Sequence, residues 1–503
     1  MRRQKVAINA IAGLLLQLVM IVYGFVFPRL VISEYGSSTN GLLQSISQFL
    51  SYISLLDAGV SAVIRAKLYK PLSQNDTKGV QLIVNAAKKF YKKIAVTFLI
   101  YIAFVAIILP FTYGKYFDKL FTASLIIIIA LSTFAEYFFG ISYTVLLEAD
   151  QRKYISYCIQ IISVVLNIIA SVVLIRTGVS IHIVKLVTAF LFVLRPVALS
   201  VYCNHKYHFD KTLTETCEIE NKWSGLGHHI AYFLHSHTDV VLLTFVKGPL
   251  IVSVYSVYNM IVSAIRQVIF YLSGGVEAAF GNMIAKKESD SLYKGLKIYE
   301  LLIYSLTTVF YTTAALSIFK FVEIYTRGVE DTNYYIPTAA IVLIIAEALY
   351  CIRRPYEAIV MAAGKLKETM NGAFAEAGIN VIISIILVWK LGILGVALGT
   401  LVAMLFRTIQ YANFVSKEIV DREIGVFVKN LVVYICMALF IYYIGDFLVF
   451  KCNTYIQWAL WAFCIFLIAS SIVFVGDYLF FHKESTELLS MVTSLFVKKK
   501  KQN

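Results

Sequence analysis

Long apolar stretches recur along the whole chain and constrain its fold more than any other feature. Of the 503 residues, 59% are hydrophobic and only 15% are charged, and the mean hydropathy is +0.76. An ordinary soluble domain carries roughly 25% charged residues, so water cannot be the solvent for most of this surface. A helix needs about 20 apolar residues to cross the hydrocarbon core of a bilayer. The sequence therefore predicts an all-α membrane protein.

Fourteen stretches meet this length requirement, so we predict about fourteen transmembrane helices. The first stretch is longer than the roughly 7 to 15 apolar residues of a signal peptide, and we expect it to remain as a membrane helix. The fourteen stretches are 6–32, 40–64, 94–113, 120–147, 155–175, 179–202, 225–246, 250–275, 298–319, 334–360, 371–389, 391–414, 426–446 and 453–481.

Lysine and arginine between these stretches predict the orientation of the chain. With the N-terminus in the cytoplasm, 32 of the 45 basic residues fall on the cytoplasmic side and eight fall outside. Positive charge is retained on the cytoplasmic side of a membrane protein, so this bias is a strong indication. We therefore predict a multi-pass membrane protein with both termini in the cytoplasm.

The basic composition does not point to a nucleic-acid partner. The net charge is +15, but the cations are spread between apolar stretches and do not form one solvated face. They orient the protein and can contact anionic membrane lipids. The seven cysteines contain no CxxC pair, and we predict neither a metal site nor a cofactor.

Four polar landmarks recur at nearly constant spacing and indicate an internal duplication. Ala135-Glu136 recurs as Ala346-Glu347, and Tyr143 recurs as Tyr356. Asn167, with Ser171, recurs as Asn380, with Ser384, and Arg195 recurs as Arg407. Two halves of six helices each would share one orientation and enclose a central cavity.

The duplication predicts the domain organisation. We expect an N-terminal six-helix lobe at 1–215 and a pseudo-symmetric C-terminal lobe at 220–415, joined by a polar cytoplasmic linker. The last two helices, at 426–481, have no counterpart in the repeat and form an appended pair. Residues 482–503 are predicted to be a cytoplasmic tail.

Ionisable residues inside the predicted helices are the candidate substrate-binding residues, because charge in a bilayer is costly and faces protein or water. They lie on the first two helices of each lobe, where we expect a shared cavity. Asp57, Ser61 and Arg65 stack at i, i+4 and i+8 on one helical face. The candidates are Arg29, Asp57, Arg65, His235, Asp239, Arg266 and Glu277.

The histidine-rich segment HHIAYFLHSHTD, in the seventh predicted helix, could suggest a metal site. No pattern of cysteine and carboxylate residues completes such a site, so a helix that lines a polar cavity explains the histidines better. His235, near Asp239, could titrate and couple transport to protons. Whether a coupling ion exists, and whether it is H⁺ or Na⁺, stays open.

The first helix pair resembles the polysaccharide and oligosaccharide flippases of the multidrug/oligosaccharidyl-lipid/polysaccharide exporter superfamily. The resemblance is carried by PRLVISEYGSSTNGLLQSISQFLSYISLLDAGV from Pro28 and RAKLYKPLSQND from Arg65. A second matching stretch is HTDVVLLTFVKGPLIVSVYSVYNMI from His237. With the two-lobe repeat, the resemblance covers nearly the whole chain.

The resemblance implies an alternating-access flippase rather than an enzyme. The implied cargo is an undecaprenyl-diphosphate-linked oligosaccharide, which moves from the cytoplasmic to the outer leaflet of the bacterial plasma (inner) membrane for surface polysaccharide assembly. By helix and residue type, Arg29, Arg65 and Arg266 would hold the diphosphate. Three acids, Asp57, Asp239 and Glu277, accompany these three arginines. This balance departs from a simply cationic cavity.

Three other functions remain open at this point. A multidrug/cation antiporter of the same superfamily would favour an acid-rich pocket, and the balanced arginine content argues mildly against it. A lipid II flippase would also carry fourteen helices. A membrane glycan polymerase belongs to a different class and usually needs a sizeable outer loop, whereas the longest one here runs only from Lys320 to Asn333.

Overall fold

The computed structural model describes residues 2–57, 59–210, 212–213, 215–218, 226–273, 275–448 and 450–500. These residues are almost entirely helical, as the apolar stretches predict. Their helices are α1 (Arg2–Ser51), α2 (Val60–Ser73), α3 (Thr77–Thr112), α4 (Lys119–Ala135), α5 (Ile141–Ala149), α6 (Lys153–Arg176), α7 (Ile181–Tyr207), α8 (Leu226–Val246), α9 (Pro249–Leu272), α10 (Val276–Ala285), α11 (Ser289–Tyr325), α12 (Pro337–Ile352), α13 (Arg354–Ala362), α14 (Leu366–Leu391), α15 (Ile393–Glu418), α16 (Ile424–Phe447), α17 (Tyr455–Phe480) and α18 (His482–Lys500).

Eleven helical stretches of the described chain are long and apolar enough to cross a membrane. The multi-pass all-α class is therefore confirmed, and the count of fourteen remains a prediction. Three predicted helices account for the difference. The second is continuous with the first in α1, the seventh coincides with α8, and the tenth is divided between α12, of 16 residues, and α13. Within α8, the segment His237–Val246 is apolar but shorter than a membrane-spanning helix.

Helix α1 changes direction at Gly36, where the first two predicted membrane helices meet. Gly36 has φ 83° and ψ 166°, a conformation that a residue with a Cβ rarely adopts. The Asp331 carboxylate accepts hydrogen bonds from the Ser37 N–H and the Ser37 hydroxyl, each at 2.6 Å. An acidic side chain thus caps the second half of the helix at its N-terminus.

The described chain divides into two compact units, with the boundary inside α9. Unit 1 runs to Val254 and includes Gly328–Thr332, and unit 2 contains Tyr255–Arg327 and the residues from Asn333 onward. In unit 1, a continuous apolar core packs α1 to α7 together around buried side chains such as Ile46, Phe98 and Leu146. The lobe boundaries expected from the repeat remain a prediction.

In unit 2, hydrogen bonds between side chains and to the backbone join α16 and α17 to α11. Trp458 Nε1 donates a hydrogen bond of 3.0 Å to the Ser317 carbonyl. Near the other end of α17, Asp477 accepts hydrogen bonds from the Ser305 hydroxyl at 2.6 Å and the Tyr434 hydroxyl at 2.7 Å. Because apolar helices gain little from association in lipid, such hydrogen bonds help to hold the pair in place.

A hydrogen-bonded pair recurs at equivalent positions in both units. In unit 1, the Ser171 hydroxyl donates to Asn167 Oδ1 at 3.3 Å within α6. In unit 2, the Ser384 hydroxyl donates to Asn380 Oδ1 at 3.2 Å within α14. Each asparagine also donates to the following helix, one to the Thr188 carbonyl and the other to the Thr400 hydroxyl. The two units thus share this local arrangement, and the duplication itself remains a prediction.

Candidate functional site

Asp57 ends the short 3₁₀ turn Tyr52–Asp57 that follows α1 in unit 1. The Ser61 hydroxyl lies 3.1 Å from both carboxylate oxygens of Asp57, as the i, i+4 spacing predicts. The Tyr91 hydroxyl lies 3.1 Å from Asp57 Oδ1 and 2.7 Å from the Ser61 hydroxyl. The carboxylate is therefore fixed by one hydroxyl group from α2 and one from α3, and it remains only half-buried.

Arg65, one turn further along α2, is turned toward α5. Its guanidinium lies 2.6 Å from Glu148, and Lys153 pairs with the other oxygen of the same carboxylate. The Arg65 side chain is 35% exposed, so water screens much of this attraction. One acid between two cations leaves the cluster with an excess positive charge.

The remaining candidates of unit 1 lie on α1 and α8. Arg29 is half-buried and follows Pro28, two turns before the break at Gly36. Asp239 is buried on α8. His235 lies on the same helix, but its side chain is outside the described residues, so its predicted role stays a prediction. Lys185 on α7 places its ammonium 3.8 Å from the centre of the Phe27 ring.

A line of polar contacts joins the second half of α1 to α8 and the start of α9, all within unit 1. We call it the α1–α8 seam. Gln48 contacts His237, and Ser45 lies 2.8 Å from Thr244 and 2.7 Å from the Tyr113 hydroxyl. Asn40 donates to the Ser253 hydroxyl at 2.8 Å. Ser45 and Gln48 are three positions apart and so share one face of α1, and Asn40 lies five positions before Ser45.

Arg266 is the central candidate of unit 2, and it is paired. Its NH1 group lies 2.9 and 3.0 Å from the two carboxylate oxygens of Glu347 on α12. The guanidinium also lies over the Tyr350 ring, 5.2 Å from its centre. Both partners are mostly buried, with side chains 23% and 12% exposed. A diphosphate would have to compete with Glu347 for this arginine.

Glu277 is paired as well, at the start of α10. Arg354 lies 2.7 Å from Glu277 and 3.2 Å from Glu357. Arg354 falls inside the predicted helix 334–360, and the structure shows that it begins a separate helix, α13. Glu277 therefore neutralises a cation rather than offering a free acid.

Two arginines share one glutamate deeper in unit 2. Glu376 lies 2.7 Å from Arg353 and 3.3 Å from Arg407. Arg407 also donates to the Thr369 carbonyl at 2.9 Å and to the Tyr411 hydroxyl at 2.8 Å. All three charged side chains are less than 8% exposed. Their buried charge is compensated by these hydrogen bonds.

The pairing of the repeated landmarks differs between the units. In unit 1, Arg195 lies 3.7 Å from Glu136, which begins a π-helical turn at Glu136–Gly140. In unit 2, Glu347 forms an ion pair with Arg266, and Arg407 forms one with Glu376. The repeat therefore could not reveal these partners, since Glu376 has no acidic counterpart at the matching position of unit 1, Ser163.

Sequence reasoning found the ionisable candidates but missed most of their partners. Within unit 1, Asp57 and Ser61 lie together as expected, whereas Arg65 contacts Glu148. Within unit 2, Arg266 and Glu277 have separate partners on α12 and α13. His237 was also missed, because the helical stripe through His235 and Asp239 excludes it. His237 and Thr244 are seven positions apart, which is about two helical turns. This spacing could have indicated that α8 has a second polar face.

Comparison with solved structures identifies the fold. The structure titled "Lipid II flippase MurJ, inward closed conformation" matches with a TM-score of 0.65 and 16% identity, over 93% of this chain and 98% of that chain. An inward-facing multidrug resistance MATE family transporter of the MOP superfamily matches with a TM-score of 0.62 and 14% identity, over 81% and 98%. A ligand complex of the MATE multidrug transporter DinF-BH matches with a TM-score of 0.56 and 13% identity, over 82% and 95%.

No protein-family model matches the chain, and no curated protein matches it. The identities to the solved structures are low, so the likeness concerns the fold. Lipid II flippase and MATE folds are nevertheless what the resemblance of the first helix pair implied. The chain has the fold of the solved lipid II flippase and MATE transporter structures, and this fold agrees with the resemblance found in its sequence.

Proposed function

We propose that this chain is a flippase that moves an undecaprenyl-diphosphate-linked oligosaccharide from the cytoplasmic to the outer leaflet of a bacterial plasma membrane, for surface polysaccharide assembly. It would act by alternating access, as a transporter and not as an enzyme. Both termini would then lie in the cytoplasm, as the distribution of basic residues predicts.

The extent of the structural likeness carries this proposal. The lipid II flippase structure aligns with 93% of the chain, and the multidrug transporter with 81%. The difference corresponds to about 60 residues of the 503, close to the length of the appended pair from Ile424 to Phe480. We infer that the longer alignment includes these helices, and a fold extended in this way favours a lipid-linked cargo over a small drug.

The charge arrangement also supports a diphosphate cargo. Each acid found beside Arg65 and Arg266 is matched by basic partners, so neither site presents an uncompensated acid to a cationic drug. Arginine is well suited to bind phosphate oxygens in a bidentate manner. We therefore keep Arg266 and Arg65 as diphosphate ligands that exchange a carboxylate for the cargo.

Ligand-induced stabilisation of the purified protein tests the cargo class. We expect an undecaprenyl-diphosphate-linked oligosaccharide to raise Tm, because a ligand that binds only the folded state stabilises it. Undecaprenol, which lacks the diphosphate, is the matched control and should raise Tm much less. Ethidium, an aromatic organic cation that stands for a multidrug cargo, should leave Tm unchanged. Stabilisation by ethidium without stabilisation by the lipid-linked glycan would reject the proposal in favour of drug transport.

A further inference from the structure

A polar cavity of about 200 Å³ lies in unit 2 at one end of the appended helix pair. The start of α11, the start of α16 and the turn between α17 and α18 surround it. Its lining residues are Lys297, Leu301, Val426, Lys429, Asn430, Tyr434, Phe480, Phe481 and Glu484. None of these residues belongs to the proposed transport site.

Two lysines on different helices supply the charge of this cavity. Lys297 lies two turns into α11, and Lys429 is exposed in the second turn of α16. The Asn430 amide lies beside them and is held by Glu300, with its nitrogen 3.5 Å from a carboxylate oxygen. Ammonium and amide groups are donors, so the cavity offers several donors to an anionic group such as phosphate.

The two acids behind the cavity, Glu300 and Asp477, already have ion-pair or hydrogen-bond partners. Glu300 is 1% exposed and forms a bidentate ion pair with Arg422, in the connection between α15 and α16. Burial alone would lower the pKa of Arg422, but the Glu300 carboxylate holds it above its ordinary value. Asp477 accepts hydrogen bonds from Tyr434 and Ser305. Arg422 therefore neutralises Glu300, and neither carboxylate forms an ion pair with the two lysines among the described residues.

The position of the cavity favours a membrane lipid. The stretches Ser289–Tyr325, Ile424–Phe447 and Tyr455–Phe480 are all candidate membrane spans. The cavity lies where two of them begin and the third ends, which is a membrane–water interface. Leu301, Val426, Phe480 and Phe481 add an apolar wall beside the lysines. A phosphate group attached to acyl chains would satisfy both parts, whereas free phosphate would leave the apolar wall unused.

Glu484 of the tail helix competes for the same charge. It lies on the first turn of α18, and its carboxylate is 3.3 Å from the Lys297 ammonium. Both side chains are partly exposed, so the pair is screened and readily exchanged. An incoming phosphate would take the place of this carboxylate on Lys297.

We propose that this cavity binds the phosphate headgroup of an anionic membrane phospholipid, through Lys297 and Lys429, in competition with Glu484. With the predicted orientation of the chain, the lipid comes from the cytoplasmic leaflet. Binding therefore links the lipid composition of this leaflet to the attachment of the tail helix α18. The site is separate from the glycan-lipid path and does not require that path to exist.

Native mass spectrometry of the full chain in detergent tests the site. Phosphatidylglycerol should bind more tightly than zwitterionic phosphatidylcholine. The Lys297→Gln/Lys429→Gln variant should lose about five-fold in affinity for each lysine, because a basic residue near an anionic lipid surface contributes about that factor. The matched control Lys417→Gln, on an exposed lysine in the last turn of α15, should bind as the wild type does.

The Glu484→Gln variant separates binding from a general structural effect. It removes the competing carboxylate, so it should raise the affinity for phosphatidylglycerol, whereas structural damage would lower it. Unchanged binding in the double lysine variant, or weaker binding in Glu484→Gln, would overturn the site. Inorganic phosphate should displace the bound lipid only at a higher concentration than short-chain phosphatidylglycerol does. Displacement by both at the same concentration would overturn the lipid assignment.

Discussion

Replacing Gly41 by alanine is expected to destabilise the protein severely and to abolish transport. A Cβ at this position of α1 would lie 1.8 Å from the Pro249 carbonyl oxygen and 2.6 Å from its carbon. Both are backbone atoms at the start of α9, so no side-chain rotation can relieve the clash. Overpacking commonly costs about 1 to 3 kcal/mol, and a backbone clash of this kind belongs at or above the upper limit. The neighbouring hydrogen bond from Asn40 to Ser253 would also be strained.

Thermal unfolding in mild detergent measures this effect, with Gly24→Ala as the matched control. Gly24 lies on the same helix, and a Cβ there would meet nothing within 4 Å. Alanine favours a helix by about 1 kcal/mol over glycine, so the control should keep or slightly raise Tm. Equal Tm values for Gly41→Ala and the wild type would show that α1 and α9 are not in this close contact.

Replacing Arg266 by alanine is expected to lower both stability and transport. The change leaves Glu347 mostly buried without Arg266, whose Nη1 donates to both carboxylate oxygens, and breaking such a pair costs about 3 kcal/mol or more. Loss of transport in this variant alone would not distinguish a lost ligand from a damaged fold. Tm and the yield of monodisperse protein in size-exclusion chromatography therefore accompany the transport assay.

The double variant Arg266→Gln/Glu347→Gln separates the two causes. Two neutral amides can hydrogen-bond to each other, so we expect Tm to recover most of its loss. Transport should stay abolished, because glutamine cannot supply the charge that binds a diphosphate. Recovery of transport together with Tm would show that Arg266 serves the fold and does not bind the cargo.

The membrane class and the positions of the helices could be predicted because the bilayer imposes length and polarity on each helix. Predicted boundaries at 155–175 and 426–446, for example, fall inside Lys153–Arg176 and Ile424–Phe447. The breaks were harder to predict. The predicted connection between 32 and 40 is helical apart from the kink at Gly36, and Arg353 separates α12 from α13 inside the predicted helix 334–360.

The candidate site could be predicted only in part, because its partners come from distant helices. Asp57 and Ser61 are one turn apart, so their contact follows from helical spacing. Glu148 and Glu347 are 83 and 81 residues away from the arginines that they bind. No local pattern joins residues at such separations, and the repeat misleads here because the two units pair their landmarks differently.

Transfer of a labelled lipid between leaflets tests the central claim most directly. Proteoliposomes would carry a fluorescent undecaprenyl-diphosphate-linked oligosaccharide in one leaflet, with a membrane-impermeant quencher applied to the other side. Wild-type protein should expose the label to the quencher, while the folded Arg266→Gln/Glu347→Gln variant and protein-free vesicles should not. Quenching at the protein-free rate with well-folded wild-type protein would contradict the account.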